Sequence, residues 1–282
     1  MPANQLRVLF LSIFNHTELY DEFYKENMAY LDALASKRPE FMRKCVRFYY
    51  VKAEPSVTVP ILNEGERMIT VGGTESWCPG ILEKTLACFQ FMETFQFEDG
   101  FTFDYVVRTN VSTFIKIETA YNEIAQVEAA YGEGALDVSA RYPYIAMGDV
   151  SVLQAMNHRF GLNENTMQLY SNERFFQGVC IIINRRMFRE IVRRAATSIN
   201  RNIVDDVELG HFIFSYEYDN TQKNSLHVVD LRERMVSYYT SAENAKCPFV
   251  FCNNLYKAWR DMDLNNFRST ARKFINEIQT AT

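Results

Sequence analysis

Two polar clusters in the sequence carry side chains that could do chemistry. In the first, three carboxylates fall within four positions of the segment Asp205-Asp206-Val207-Glu208. Neighbouring carboxylates raise each other's pKa, so one of them could accept a proton from a hydroxyl nucleophile. The same pattern is typical of an ordinary helix start, where acidic groups complement the helix dipole and Asp205 acts as an N-cap. The pattern by itself leaves both interpretations open.

The second cluster is Arg108-Thr109-Asn110-Val111-Ser112, which directly follows a short apolar run. Open α/β sheets bind ligands at the carboxyl ends of their strands, so polar residues in this position are candidates for a binding site. The residues after Phe14, Val51 and Ile183 hold the same position in other apolar runs. The sequence contains no GxSxG, P-loop, HExxH or GxGxxG motif, which excludes the chemistries that these motifs support.

Alternating strands and helices must position these clusters. Residues 7–14 form a continuous apolar run, which predicts a strand covered on both faces of a sheet. Further strands are predicted at 45–51, 67–71, 103–110, 142–147, 178–184 and 225–230, and helices at 19–36, 80–97, 117–131, 187–196, 205–216 and 265–279. This alternation predicts a single α/β domain with a mostly parallel central sheet.

Composition narrows the class of protein. The chain has 282 residues and a net charge of −5, which argues against nucleic acid or an anionic membrane as the main partner. No apolar run is long enough for a transmembrane helix, and no signal-peptide cleavage site follows the first strand. The six cysteines are therefore interpreted as free thiols of a cytoplasmic protein, with Cys247 and Cys252 the closest pair.

The order of five motifs resembles that of the GT-A glycosyltransferases, in particular the β-1,3-galactosyltransferase and Fringe-like group. The motifs are the strand 8–12, the segment Glu75 to Thr85, the strand and turn Phe103 to Ser112, the segment Gln177 to Arg186, and Asp205 to Gly210. The similarity covers roughly residues 6–230 and extends to soluble glycosyltransferases of bacteria and of large DNA viruses such as the chlorella viruses. It implies a Rossmann-like GT-A fold in which residues 1–115 bind the nucleotide-sugar and residues 116–282 bind the acceptor.

The resemblance also implies an activity. We expect an inverting transfer from a nucleotide-sugar, such as UDP-xylose or UDP-galactose, to a hydroxyl of a glycan or glycoprotein, for example a viral capsid protein. Asp206 would be the general base, and Asp205 would orient it or contact the acceptor. The expected donor-binding residues are Phe14, Asn15, His16, Lys84, Arg108, Thr109, Asn110 and Ser112, with Lys84 and Arg108 facing the diphosphate. The expected acceptor-binding residues are Trp77, Gln177, Gly178 and Glu208.

The chain departs from this family at the metal-binding motif. Asn110 and Ser112 stand where the family has the two carboxylates of Asp-x-Asp. Neutral oxygens hold Mg²⁺ or Mn²⁺ weakly, so the need for a divalent metal stays open, with Asn110, Ser112 and a late ligand, His227, as candidates. Two alternatives follow: a weak or inactive relative that only binds glycans or nucleotides, and a nucleotidyltransferase. The sequence determines neither the sugar, the acceptor nor the oligomeric state.

Overall fold

The computed structural model describes residues 5–15, 18–76, 79–152, 170, 172–195, 197, 205–217, 226–237, 249–251 and 260–280. The strands are β1 (Val8–Ile13), β2 (Val46–Glu54), β3 (Ile61–Asn63), β4 (Met68–Gly72), β5 (Tyr105–Asn110), β6 (Thr113–Ile115), β7 (Tyr144–Val152), β8 (Arg174–Asn184), β9 (Leu226–Asp230), β10 (Met235–Ser237) and β11 (Phe249–Phe251). The helices are α1 (Glu18–Lys37), α2 (Pro39–Lys44), α3 (Gly80–Thr94), α4 (Ile117–Tyr131), α5 (Arg185–Ala195), α6 (Asp205–Phe214) and α7 (Arg260–Thr280).

Eight of these strands form one mixed sheet in the order β3-β4-β2-β1-β5-β8-β7-β9. Most pairs are parallel, whereas β3 and β8 run antiparallel to their neighbours. The prediction of an α/β fold with a mostly parallel sheet is confirmed, and the fold is Rossmann-like. The chain builds outward from β1 to β2 and β4, then returns to place β5 on the other side of β1. This reversal creates a crevice at the carboxyl ends of β1 and β5, where open α/β sheets bind ligands.

Both faces of the sheet are covered, which explains the continuous apolar sequence of β1, whose six residues are all buried. Val8 and Phe10 pack on one face with residues of α1, α4 and α7. Leu9 and Leu11 pack on the other face with residues of α3, α5 and α6. Within the described helices, no apolar stretch reaches the length that a bilayer crossing requires.

The differences from the predicted elements have local causes. The elements α2, β3, β6, β10 and β11 were not predicted, because three to six residues are too few to show a period. The helix predicted over 80–97 ends at Thr94, since Phe95 has an extended backbone that turns the chain back. The predicted halves 1–115 and 116–282 share one sheet, because β5 pairs with β8.

The described cysteines, Cys45, Cys88 and Cys180, are buried free thiols. The remaining cysteines, including Cys247 and Cys252, lie outside the described residues.

Candidate functional site

Strand β8 departs from regular pairing at the carboxyl edge of the sheet. Gly148 of β7 pairs with Ile181, but Val150 pairs with Phe176. Residues 177–180 of β8 therefore lie opposite the single residue Asp149, which makes an irregular bulge with more than one extra residue. Bulges are common next to functional sites because they redirect groups out of the regular ladder.

The redirected groups belong to Gly178. Its N–H donates to Oδ2 of Asp206 at 3.1 Å, and its carbonyl oxygen accepts from Nη1 of Arg108 at 2.5 Å. A Cβ at this position would lie 3.3 Å from Arg108 Nη1 and 3.4 Å from Asp206 Oδ2. Glycine therefore allows the β8 backbone to approach both side chains closely.

Arg108 and Asp205 form a buried ion pair beneath this backbone. The Arg108 side chain, from the end of β5, is 1% exposed, and its Nη2 donates to Oδ2 of Asp205 in the first turn of α6. Its Nε atom is buried and has no hydrogen-bond partner in the part of the chain that the structure describes. Asp205 therefore neutralises the charge of the Arg108 guanidinium. Asp206 forms no ion pair with any residue that the structure describes.

The protonation of Asp206 follows from these surroundings. Burial, and to a smaller extent the neighbouring Asp205 carboxylate, raise the pKa of Asp206 to about 7, although the Arg108 guanidinium and the N–H groups of Gly178 and Val207 oppose the rise. The Val207 N–H donates to Oδ1 of Asp206 at 3.0 Å. The side chain is half-buried, so solvent still reaches it. A carboxylate with a pKa near neutrality can take up and release a proton at the pH of a cell, which is the property of a general base.

Lys84 connects the ends of two neighbouring strands. Its Nζ donates to the carbonyl oxygen of Phe14 at 2.5 Å and to Oε2 of Glu75 at 2.5 Å. The other carboxylate oxygen of Glu75 accepts from the N–H of Ala53 in β2 at 2.6 Å. Lys84 is 1% exposed, and burial lowers its pKa while the Glu75 carboxylate opposes that change. The ammonium group therefore holds the segment after β1 against the end of β2.

Glu75 was not among the predicted site residues. Its signal in the sequence was the acidic position that opens the motif Glu75 to Thr85, nine residues before Lys84. Its role as the partner of Lys84 depends on the path of the loop between β4 and α3, which the motif does not reveal.

The predicted donor-binding residues of β1 and β5 meet at the crevice. Ile13 pairs with Asn110, so Phe14, Asn15 and Asn110 lie at adjacent strand ends. Asn15 and Asn110 are half-buried, whereas Thr109 and Ser112 are almost fully buried. Within the described ranges, no three His, Cys, Asp or Glu side chains lie close enough together to hold a metal ion. The neutral oxygens of Asn110 and the buried Ser112 do not by themselves provide the anionic ligands that a divalent cation prefers.

Two of the predicted acceptor-binding residues, Gln177 and Glu208, differ in their exposure. Gln177 is exposed in the bulge, where its Nε2 donates to Oγ of Ser151 at 3.0 Å. Glu208 is 2% exposed and accepts from the Tyr170 hydroxyl at 2.6 Å, so its carboxylate already has a protein partner.

His227 lies at the amino end of β9, with its ring centroid 3.9 Å from that of Tyr131 and 4.8 Å from that of Tyr142. The structure does not bring His227 to the cluster around Asp206, because the cluster lies at the opposite edge of the sheet. His16 and Trp77 lie outside the described residues.

These observations define an α/β protein in which a carboxylate with a raised pKa lies at the carboxyl edge of a mostly parallel sheet. No family model and no curated protein matches the chain. Among solved structures, the chain is similar to a glycosyltransferase involved in the glycosylation of the major capsid of PBCV-1. The two share 12% sequence identity over 92% of this chain and 98% of that chain, with a TM-score of 0.45. At this distance the activity of the solved protein does not transfer to this chain, and the site geometry must carry any functional argument.

Proposed function

We propose that the protein is a glycosyltransferase that moves a sugar from a nucleotide-sugar to an acceptor hydroxyl, with Asp206 as the general base. The observation that carries this proposal is the Asp206 carboxylate, which has a pKa raised to about 7 and is held by the N–H groups of Gly178 and Val207 at the carboxyl edge of the sheet. A hydroxyl is a poor nucleophile until its proton is removed, and such a carboxylate removes it near neutral pH.

The proposed reaction is a single displacement. The acceptor oxygen forms a bond to the anomeric carbon of the sugar while the bond from that carbon to the diphosphate oxygen breaks. Asp206 receives the acceptor's proton, and the nucleoside diphosphate leaves with the bonding electrons, so the anomeric configuration inverts. The N–H groups of Gly178 and Val207 orient the carboxylate. Because Asp205 pairs with the Arg108 guanidinium, Arg108 lowers the pKa of Asp206 less than an unpaired guanidinium would.

The proposed donor site is the crevice between β1 and β5. Phe14, Asn15 and Asn110 would contact the nucleoside of a donor such as UDP-xylose or UDP-galactose, because they lie at adjacent strand ends beside the reversal of strand order. Lys84 and Arg108 are buried and bonded to protein groups. We therefore propose that they support the diphosphate-binding surface from beneath.

The oxygen ligands that the crevice offers determine how tightly it could hold a divalent metal. Mn²⁺ or Mg²⁺ would neutralise diphosphate charge, and Asn110 with Ser112 offers only neutral oxygens for it. We propose a weak dependence on divalent metal, tested by turnover in EDTA. Retention of most of the activity is expected, whereas complete loss that Mn²⁺ restores would contradict it.

The test of the proposed function is a panel of UDP- and GDP-sugars incubated with the full chain, with released nucleotide as the readout. A donor present at about 100 times its dissociation constant should also stabilise the fold by about 2.7 kcal/mol. Failure of every nucleotide to shift the thermal transition would remove the proposal.

A nucleotide-binding protein without transferase activity is a second candidate. The observation that favours it is that Lys84 and Arg108 are both paired within the protein and Asn110 and Ser112 offer only neutral oxygens, so these residues do little to neutralise the charge that a diphosphate gains as it leaves the sugar. Thermal stabilisation by UDP without nucleotide release from any sugar donor, at any acceptor, would favour this second candidate over the transferase.

A further inference from the structure

A groove of about 580 Å³ lies at a corner of the molecule, away from the carboxyl edge of the sheet. The side chains of β2 that reach it come from the amino end of the strand, since Arg47 is its second residue. Five apolar side chains and five charged ones line it: Pro60, Leu62, Phe91, Phe95 and Phe97, with Arg43, Arg47, Glu64, Glu98 and Asp99. A volume of this size with aromatic walls suits a ligand or an inserted side chain.

The charges of the groove do not balance. The lining holds three carboxylates but only two guanidinium groups. The Arg47 guanidinium donates to Asp99, and Arg43 shares Glu40 with Lys44, at 3.1 Å and 2.6 Å respectively. The carboxylate of Glu64 accepts from a neutral group, the Tyr49 hydroxyl, at 2.9 Å.

Glu98 is exposed, and neither Glu64 nor Glu98 forms an ion pair among the described residues. The lining side chains therefore carry one net negative charge, and two of their carboxylates have no cationic partner in the described part of the chain, which favours a positively charged occupant.

The groove already contains one example of how it holds a cation. The Cζ atom of Arg47 lies 4.5 Å from the ring centroid of Phe101 and 5.8 Å from that of Phe97, while its guanidinium bonds Asp99. Aromatic faces attract cations, and an adjacent carboxylate adds charge pairing. The half-buried rings of Phe91 and Phe95, with centroids 5.0 Å apart, offer a second aromatic surface in the groove that Glu98 also lines.

Strand β3 borders the groove and stands at the end of the sheet. It pairs with β4 on one side, and no described strand pairs with its other side. Leu62 lines the groove, while Ile61 and Val59 are 57% and 71% exposed. An extended segment added to such an edge points alternate side chains to one face, so every second residue would face the groove.

We propose that this groove binds an extended basic segment of a partner protein, which pairs along β3. The segment inserts an arginine or lysine side chain that has the rings of Phe91 and Phe95 on one side. The carboxylates of Glu64 and Glu98 lie on its other side. The aliphatic stem of the inserted side chain covers the rings, and its cation pairs with the carboxylates of Glu64 and Glu98. A neutral glycan would stack on the rings but would leave both charges unmatched. This binding is independent of the sugar-transfer site.

The test uses two fluorescein-labelled heptapeptides, one alternating valine with arginine and one alternating valine with glutamate, titrated against the full chain by fluorescence anisotropy. The arginine peptide should bind, with affinity that falls as salt rises, and the glutamate peptide should not. Glu98→Gln should weaken binding about threefold, which matches one partly exposed charge pair. Glu66→Gln is the matched control, since it removes the same charge from the exposed β3–β4 turn outside the groove, and should leave binding unchanged.

Phe95→Leu keeps an apolar side chain but removes the ring, and should weaken binding about fivefold through the lost cation–π contact while the thermal transition stays near that of the parent chain. Absence of binding, equal binding of the two peptides, or unchanged affinity in the double variant Glu64→Gln/Glu98→Gln would overturn the proposal. Displacement of the arginine peptide by a neutral xylose or galactose oligosaccharide at millimolar concentration would also overturn it and assign the groove to glycans.

Discussion

The N–H of Gly178 donates to Oδ2 of Asp206 at 3.1 Å, although the residues lie 28 positions apart and in different elements. The bulge of β8 supplies this donor, and the first turn of α6 supplies the carboxylate. The bond therefore links the geometry of a sheet edge to the position of the proposed base.

The first prediction concerns the base itself. Asp206→Asn keeps the size of the side chain and its ability to accept from Gly178, but it cannot take up a proton. Turnover should fall about 10²- to 10⁴-fold, the usual contribution of a general base, while UDP affinity stays near that of the parent protein. The measurement is the steady-state transfer rate together with calorimetric UDP binding. Transfer at nearly the parent rate would exclude Asp206 as the base.

As a control for the first prediction, Asp205→Asn separates the roles of the two neighbouring carboxylates. It removes the partner of a guanidinium that is 1% exposed, so it should destabilise the fold by about 3 kcal/mol, as breaking other buried ion pairs does. Asp206→Asn breaks no ion pair and should not produce this loss. Denaturant titration of both variants distinguishes them, and an Asp205→Asn chain as stable as its parent would show that the pair contributes little.

The second prediction is the pH dependence of activity. Because burial raises the pKa of Asp206 to about 7, the carboxylate is largely protonated at pH 6 and largely ionised at pH 8. The value of kcat/KM should therefore rise with pH and level off above about 7. A rate that is flat or falling between pH 6 and pH 8 would contradict the assignment.

The third prediction is the pH dependence of stability. The folded state binds the Asp206 proton more tightly than the unfolded chain, in which an aspartate titrates near pH 4, so this residue's contribution is fully present below that pH and is lost as pH rises through about 7. Asp206→Asn does not titrate. Its melting temperature relative to the parent should therefore increase between pH 5 and pH 8. A difference that is constant with pH would show that Asp206 has an ordinary pKa.

The fourth prediction tests the glycine of the bulge. Gly178→Ala places a Cβ 3.3 Å from Arg108 Nη1 and 3.4 Å from Asp206 Oδ2, so these groups must shift by a few tenths of an ångström. Turnover should fall about tenfold, because small displacements of a catalytic group carry large rate effects, with little change in UDP binding. Gly134→Ala is the control, since its Cβ would meet only ordinary contacts at 3.6 Å and beyond. Equal activity of the two variants would show that the bulge does not position the base.

The fifth prediction concerns the support beneath the crevice. Lys84→Met removes the bonds to Glu75 and to the Phe14 carbonyl, and should cost about 2 kcal/mol of stability and raise the KM for the donor more than it lowers kcat. Adding Glu75→Gln should restore part of the stability, because the unpaired carboxylate is then neutral while its bond to the Ala53 N–H is kept. Additive losses in the double-mutant cycle would show that the two side chains act separately.

Much of the fold follows from local patterns in the sequence. The predicted helix over 117–131 has the observed bounds of α4, and the apolar run of β1 predicted a strand buried on both faces. Asp205 and Asp206 were placed at a helix start, where α6 begins. These features depend on residues that are close to each other in the sequence. The spacing of apolar residues in such a segment shows directly which of its positions are buried.

Only the tertiary structure determined which side chains and which strands pair with each other. Arg108 meets Asp205 across 97 positions, Lys84 meets the Phe14 carbonyl across 70, and β8 runs antiparallel between β5 and β7 with its bulge at Gly178. A period of two or 3.6 residues says which face of an element is buried, but it does not say which element covers that face. The choice among strand pairings and buried ion pairs depends on the free energy of the whole packed chain. For that reason the sequence pointed to Asp206 and Gly178 as separate candidates, while the hydrogen bond between them and the ion pairs beside them emerged only from the fold.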